Sequence, residues 1–165
     1  TLEDCYRCAA GMIATMQVNP DAMMAQARKG YLAATDVADY LAKFPYPVIV
    51  GPGMTPRSKH ETWNKTFETA GILHKAGVKV CVTADHDVTP LYFLSVYAGL
   101  AVRYGLDELE GLKSVTLNPA QVLGIDGRKG QLKTGLDADI VVWSAHPFAC
   151  EARPELVFLE GIQKL

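Results

Sequence analysis

Residues 77–90 read GVKVCVTADHDVTP, and this stretch decides how the chain around it is organised. An apolar run from Val78 to Val82 has the length and the β-branched content of a buried strand, and it stops before Asp85, His86 and Asp87. A carboxylate at the end of a buried strand is costly unless a cation or water meets it. The stretch therefore predicts either a strand end that binds a metal ion or a loop exposed to solvent.

The segments on either side of this stretch alternate between strand and helix patterns. Upstream, Val48 to Val50 forms a short apolar run after two prolines, and apolar residues at three- and four-residue spacing follow it. We expect strands at 48–50 and 78–83 and helices at 61–76, 91–104 and 107–123, the last one broken near Asn118-Pro119. Strand, helix, strand, helix is the order of a parallel α/β unit, so the two strands should be adjacent and parallel.

The two ends of the chain have different patterns from this central part. Helical spacing predicts helices at 2–17, 21–29 and 36–43. The other end, GQLKTGLDADIVVWSAHPF (130–148) and ELVFLEGIQKL (155–165), consists of short β-rich runs separated by Gly and Pro. We therefore expect three segments: a helical segment at 1–44, an α/β segment at 45–126 and a short β-rich tail at 127–165.

Composition excludes several classes of protein. The chain has 165 residues, 49% of them hydrophobic, and a formal net charge of -2, which is typical of a globular protein and gives no reason to expect nucleic acid or an anionic membrane as partner. No apolar run approaches the roughly 20 residues of a membrane span. Cys5 and Cys8 form a C-x-x-C without the further ligands of a zinc site, so we expect reduced thiols and a cytoplasmic location.

Charged side chains follow both predicted strands at the point where each strand ends. Asp85 comes after the second strand, and the loop after the first, VIVGPGMTPRSK (48–59), carries Arg57 and Lys59. Functional groups collect at the carboxyl ends of parallel strands, so one carboxylate and two cations should share a rim. The alternative is a solvated loop with an Asp-rich turn.

The other candidate residues give weaker evidence for a functional site. His86 is adjacent to Asp85, whereas His60, His74 and His146 fit a solvated helix start, a helix surface and a turn. There is no Gly-rich phosphate-binding loop and no G-x-S-x-G nucleophile motif. The residues alone therefore predict a carboxylate-rich strand end on part of an α/β fold.

From about Pro47 to Leu165 the chain resembles the C-terminal part of metal-dependent amidohydrolases, of the group related to imidazolonepropionase. The resemblance is carried in order by GPGMTPRSKHE (51–61), TAGILHKAGVKVCVTADHDV (69–88), SVTLNPAQVLGI (114–125) and GQLKTGLDADIVVWSAHPF (130–148). It implies a partial (β/α) barrel made of the last two βα units, followed by a short β-sandwich tail.

The same resemblance implies roles for individual residues. Asp85 matches the aspartate after the eighth barrel strand, which in the family binds the catalytic metal, a divalent ion such as zinc, and accepts a proton from the metal-bound water. His86 would lie close to a small-molecule substrate, and Asp87 would point to solvent. Arg57 and Lys59 complete the predicted substrate-binding residues.

Residues 1–44 resemble a different family, argininosuccinate lyase, in its helical region after the catalytic bundle. The stretches are TLEDCYRCAAGMIATMQVN (1–19) and GYLAATDVADYLAKF (30–44). Two families in one chain predict a chimera with a junction near Phe44 to Pro47.

Three functions follow from these resemblances. The first is hydrolysis of a cyclic amide or another C–N bond, although the histidine pair and the further ligands of the family's metal site have no matching positions here. The second is a chimeric or designed scaffold without catalytic activity, and the third is a lyase-derived helical interaction module. Part of a barrel exposes sheet edges, so we also expect a homo-oligomer.

Overall fold

Two short parallel strands lie at the centre of the protein. β1 is Val48–Val50 and β2 is Val80–Val82, and they pair in parallel with Val48 opposite Val80. The structure, a computed structural model, describes residues 38–51, 53–57 and 65–165. The helices predicted at 2–17 and 21–29 lie outside these residues, and all described residues belong to one unit that spans 33–165.

Helices follow each of the two strands. They are α1 (Thr69–Lys75), a 3-10 turn (Leu91–Phe93) that leads into α2 (Leu94–Arg103), α3 (Glu108–Ser114) and α4 (Leu117–Val122). The order β1-α1-β2-α2 and the parallel pairing confirm the prediction for the centre of the chain. The mixed α/β class is as expected, and the partial barrel remains a prediction.

The core lies between the strand pair and the helices. The side chains of Ala70 and Leu73 on α1 pack with those of Val78 and Val80, and Ala101 on α2 joins the same cluster. Small and β-branched side chains let the helices approach the strands closely. This packing fixes where both strand ends, and the loops that follow them, are placed.

Helix α1 begins later than its apolar spacing predicted. The expected start was residue 61; residues 58–64 lie outside the described residues, and 65–68 are not helical. The Thr66 hydroxyl accepts a hydrogen bond from the Glu68 N–H (3.2 Å), and the Thr69 hydroxyl donates to the Thr66 carbonyl (3.2 Å). These side-chain bonds favour a turn over a helix, so α1 begins only at Thr69.

The break between α3 and α4 is also displaced from its predicted position. It falls at Val115 and Thr116 and not at Asn118-Pro119. Pro119 lies in the first turn of α4, where a missing N–H costs little. Asp107 caps α3 by accepting from the N–H groups of Leu109 and Glu110.

The tail, for which the sequence predicted short β-rich runs, forms a three-stranded antiparallel sheet, and the β-sandwich remains a prediction. β3 (Ile140–Trp143), β4 (Pro154–Leu159) and β5 (Ile162–Gln163) pair in that order, with a register shift at Val142/Trp143. The Asp139 carboxylate accepts a hydrogen bond from the Glu160 N–H (2.8 Å) and forms an ion pair with the Lys129 ammonium. These bonds hold the chain that enters β3 against the β4–β5 turn.

One turn of the tail packs against the helices of the α/β part. Phe148 lies over Gly99 and Gly111, where an added Cβ would come within 3.1 Å and 3.2 Å of its atoms. His146, in the same turn, places Nε2 2.9 Å from a Glu108 carboxylate oxygen at the start of α3. The two glycines thus provide the space in which the tail docks.

Candidate functional site

The carboxyl ends of β1 and β2 meet closely enough to form one rim. The Thr83 N–H donates to the Val50 carbonyl (3.0 Å), which extends the pairing one residue beyond β2. Gly51 follows β1 directly, and a Cβ at that position would lie 2.2 Å from the Thr83 carbonyl oxygen. Only a glycine fits here, so the two loops leave the sheet side by side.

Asp85 stands in a tight turn on this rim and is exposed. Its backbone has a φ of 52°, its N–H donates to the Thr83 hydroxyl (3.1 Å), and its carbonyl accepts from the Val88 N–H (2.6 Å). A positive φ is uncommon for a residue other than glycine, although Asp tolerates it better than most. The turn therefore fixes the backbone of Asp85 while its carboxylate remains open to solvent.

The neighbours of Asp85 form their own contact. His86 Nε2 lies 3.1 Å from an Asp87 carboxylate oxygen, and the Asp87 side chain is 96% exposed. Residues 85–87 are all exposed, which agrees with the predicted solvated loop. The same exposure leaves the Asp85 carboxylate accessible to a ligand.

Arg57 lies in the loop after β1, as predicted, but its described contact is elsewhere. Its guanidinium donates to the Lys65 carbonyl (2.8 Å), and no described contact joins it to Asp85. Lys59, its predicted companion, lies outside the described residues. The prediction that Arg57 and Lys59 bind substrate beside Asp85 stays a prediction.

Tyr97 was not identified from the sequence, yet it connects the two loops of the rim. Its hydroxyl accepts from the Met54 N–H after β1 (3.2 Å) and shares a hydrogen bond with the Thr89 hydroxyl after β2 (2.8 Å). Tyr97 is only 3% exposed, and it projects from α2. One buried hydroxyl therefore holds both loops in register with the helix behind them.

Asn118 has a comparable role on the other side of β2. Its side-chain amide donates to the Val80 carbonyl (2.8 Å), and the residue is 5% exposed. This bond attaches α4 directly to the strand that delivers Asp85. The motif SVTLNPAQVLGI contained the signal, because a polar residue among helical apolar positions needs a partner once buried.

The described residues do not form a complete metal centre. Within 38–51, 53–57 and 65–165, no three His, Cys, Asp or Glu side chains are grouped so that they could hold a metal ion. A zinc site needs about three protein ligands. The divalent cation implied by the resemblance would find the Asp85 carboxylate here and not a full set of ligands, and His60 lies outside the described residues.

Two further sequence expectations concern the thiols and the membrane. Cys81, buried in β2, and Cys150 are free thiols, and burial raises the pKa of the Cys81 thiol. The C-x-x-C at Cys5 and Cys8 lies outside the described residues. Among the helices that the structure describes, none has the length and apolar character needed to cross a membrane.

The chain is similar to known proteins in both sequence and fold. The model of the amidohydrolase family matches residues 11–163. An amidohydrolase structure from Thermotoga maritima MSB8 is 42% identical, with a TM-score of 0.76, and the match covers 81% of this chain and 35% of that one.

Two curated relatives match shorter parts of their own length. Imidazolonepropionase of Aeromonas salmonicida is 36% identical over 97 residues, which are 56% of this chain and 22% of that protein. Argininosuccinate lyase of Methylibium petroleiphilum is 33% identical over 122 residues, which are 74% of this chain and 24% of the lyase. The chain thus spans about a quarter or less of either protein.

Both resemblances predicted from the sequence are confirmed by these matches, but their extents differ from the prediction. The family match begins at residue 11, inside the 1–44 segment that resembles the lyase. The lyase match of 122 residues is longer than that segment. The boundary at residue 44 and the chimeric origin stay predictions.

Proposed function

This chain belongs to the amidohydrolase family, and from that premise we propose that it supplies Asp85 as one ligand of a hydrolytic site without forming the complete site from its described residues. The reaction we assign to the complete site is hydrolysis of a cyclic amide or another C–N bond in a small molecule. The observation that carries the proposal is the Asp85 turn, an accessible carboxylate at the end of β2 whose backbone is held by Thr83 and Val88.

The same observation favours one alternative, a scaffold without catalytic activity. A lone carboxylate on an exposed turn gains nothing for stability, and no grouped ligands accompany it among the described residues. The lyase-derived interaction module would rest on residues 1–44, of which the structure describes only 38–44. A cytoplasmic location agrees with the two free thiols and remains part of the proposal.

We expect zinc to leave the thermal stability of the isolated chain unchanged, because one exposed carboxylate cannot retain the ion against water. Asp85→Asn should likewise leave the melting temperature unchanged or slightly raised, since an unpaired carboxylate at a strand end contributes no stability. Melting curves of the wild type and Asp85→Asn, each with and without zinc, together with elemental analysis, measure both effects. A zinc-dependent rise in the wild type alone would contradict an incomplete site.

A graft tests whether Asp85 can serve in a complete site. The segment of this chain that matches the Aeromonas imidazolonepropionase replaces its counterpart there, and bound metal and turnover are measured. We expect the graft to retain both, Asp85→Asn to lose turnover, and Asp87→Asn to retain it. Asp87→Asn is the matched control, because it removes the same charge two residues away. Equal behaviour of the two variants would favour the scaffold.

We also propose that two copies of the chain associate along the edge of β1 that pairs with no strand in the part of the chain that the structure describes. The Val48 N–H and the Val50 carbonyl face the β2 side, so the backbone groups of Ile49 lie on the opposite edge, and Ile49 is 62% exposed. Unpaired strand edges favour association, and a lysine on the edge opposes it.

Ile49→Lys should therefore weaken self-association at least about tenfold. Sedimentation equilibrium over a range of concentrations measures it. Ile125→Lys is the control, because Ile125 is also exposed but lies outside the strands, just after α4. A wild-type chain that stays monomeric at every concentration would overturn the proposal.

A further inference from the structure

An apolar cavity of about 490 Å³ lies between the β1–β2 pair and helices α1 and α2. Apolar side chains from all four elements are among its described lining: Val48, Val50, Ala70, Leu73, Val82 and Ala101. The volume is within the range of roughly 300–1,000 Å³ that is typical of small-molecule sites. Asp85 is not among the described lining residues of this cavity.

A second cavity of about 370 Å³ adjoins the first and has a different character. The two share Gly53, Thr55, Lys65, Thr66 and Phe67 in their described lining. The second is also lined by Arg57, and its described lining contains no acidic side chain. Two cationic groups thus stand where an apolar cavity joins a polar one.

Several donors on these two groups have no hydrogen-bond acceptor among the described residues. Arg57 donates one hydrogen bond to the Lys65 carbonyl (2.8 Å), and the Lys65 ammonium donates to the hydroxyl and to the carbonyl of Thr55. A guanidinium has five N–H donors and an ammonium has three. Among the ion pairs of the described residues, none involves Arg57 or Lys65.

The electrostatics of the pair favour an anion. Burial, and then the nearby Arg57 charge, lower the pKa of the Lys65 ammonium, which places the two cations within reach of each other's field. An anion bound between them would relieve both their repulsion and the cost of desolvating Lys65.

From these observations we propose that the joined cavities bind a small organic anion, with its charged head at Arg57 and Lys65 and its apolar tail against β1 and α1. A carboxylate and a phosphate monoester share this chemistry. The site does not depend on Asp85, so it stands or falls separately from the proposed hydrolytic function.

Isothermal titration of the whole chain with hexanoate, hexyl phosphate and neutral 1-hexanol tests the site. We expect saturable binding of at least one of the two anions, and the comparison between them identifies the head group. Hexanol should bind about tenfold or more weakly, because it lacks the charge that both cations recognise. Affinity for the carboxylate should rise about fourfold for each methylene from butanoate to hexanoate if the tail enters the apolar cavity.

Three variants separate the site from general electrostatic attraction. Arg57→Gln and Lys65→Gln should each weaken binding about tenfold. Lys164→Gln, which removes the same charge on the β tail, should not change it. Arg57 is exposed, so its variant should fold normally, and it decides the result even where melting curves show that Lys65→Gln is destabilised.

Two results would overturn the proposal. One is the absence of saturable binding of either anion to the wild type. The other is binding that Arg57→Gln and Lys164→Gln weaken equally, since that would reflect net charge and not a site.

Discussion

Gly51→Ala is expected to destabilise the protein by about 3 kcal/mol, through backbone strain and steric overlap together. The φ of Gly51 is 149°, which side chains rarely tolerate, and a Cβ there would lie 2.2 Å from the Thr83 carbonyl oxygen. Because that oxygen belongs to the backbone after β2, the clash can be relieved only by separating the two strand ends. Urea denaturation measures the loss.

Gly77→Ala is the matched control for this change. Gly77 also has a positive φ, 86°, but nothing lies within 4 Å of the position of an added Cβ. Gly77→Ala should lower the free energy of unfolding only by the cost of a side chain at positive φ, about 1–2 kcal/mol. Equal losses in the two variants would show that the close approach of Gly51 to Thr83 does not constrain the rim.

The centre of the fold was predictable because local pattern and global topology agree there. The apolar runs that became β1 and β2 are short and β-branched, and the helical segment between them permits a parallel crossover. The first turn of α1 was not predictable from apolar spacing, because hydrogen bonds from Thr66 and Thr69 decide it. The break near Thr116 differs from its predicted position because Pro119, which favours a helix end, is accommodated in the first turn of α4.

The sequence predicted where the candidate residue Asp85 lies, but not the residues that support the loops around it. The position of Asp85 just after β2 was predictable, because the strand pattern ends there, whereas its role as a metal ligand stays a prediction. Tyr97 and Asn118 were missed because their partners are distant in sequence: 43 residues separate Tyr97 from Met54, and 38 separate Asn118 from Val80. Such contacts depend on tertiary packing: the sequence can indicate that a polar residue such as Asn118 needs a partner once buried, but not which group supplies it.

Family membership is physically compatible with the absence of grouped metal ligands among the described residues. In a (β/α) barrel, groups from the ends of several different strands assemble the site, while each βα unit folds around its own local packing. The described residues retain the packing of α1 and α2 on β1 and β2, and among them Asp85 is the carboxylate that directly follows a strand of this pair. The described βα units can therefore be well packed even where the described residues lack a full set of metal ligands.

The Tyr97 hydroxyl offers the sharpest test of how the rim is held together. Tyr97→Phe keeps the ring but removes the partner of the Met54 N–H and of the Thr89 hydroxyl, both of which belong to strand-end loops. Thr89 is buried, and leaving a buried polar group without its partner costs about 1–3 kcal/mol. Tyr97→Ala also removes the buried ring, for a total loss of about 3–5 kcal/mol. Urea denaturation of both variants measures these losses.

Amide hydrogen exchange separates a role in positioning the loops from a general loss of stability. In Tyr97→Phe the Met54 amide should lose protection by more than the global destabilisation accounts for, because its acceptor is gone. Amides within α2 should change only by the global amount. Tyr104→Phe is the control, since the Tyr104 side chain is exposed and the change should cost less than about 0.5 kcal/mol. If Tyr97→Phe were as stable as Tyr104→Phe, with the Met54 amide equally protected in both, the hydroxyl would not be what joins the two loops.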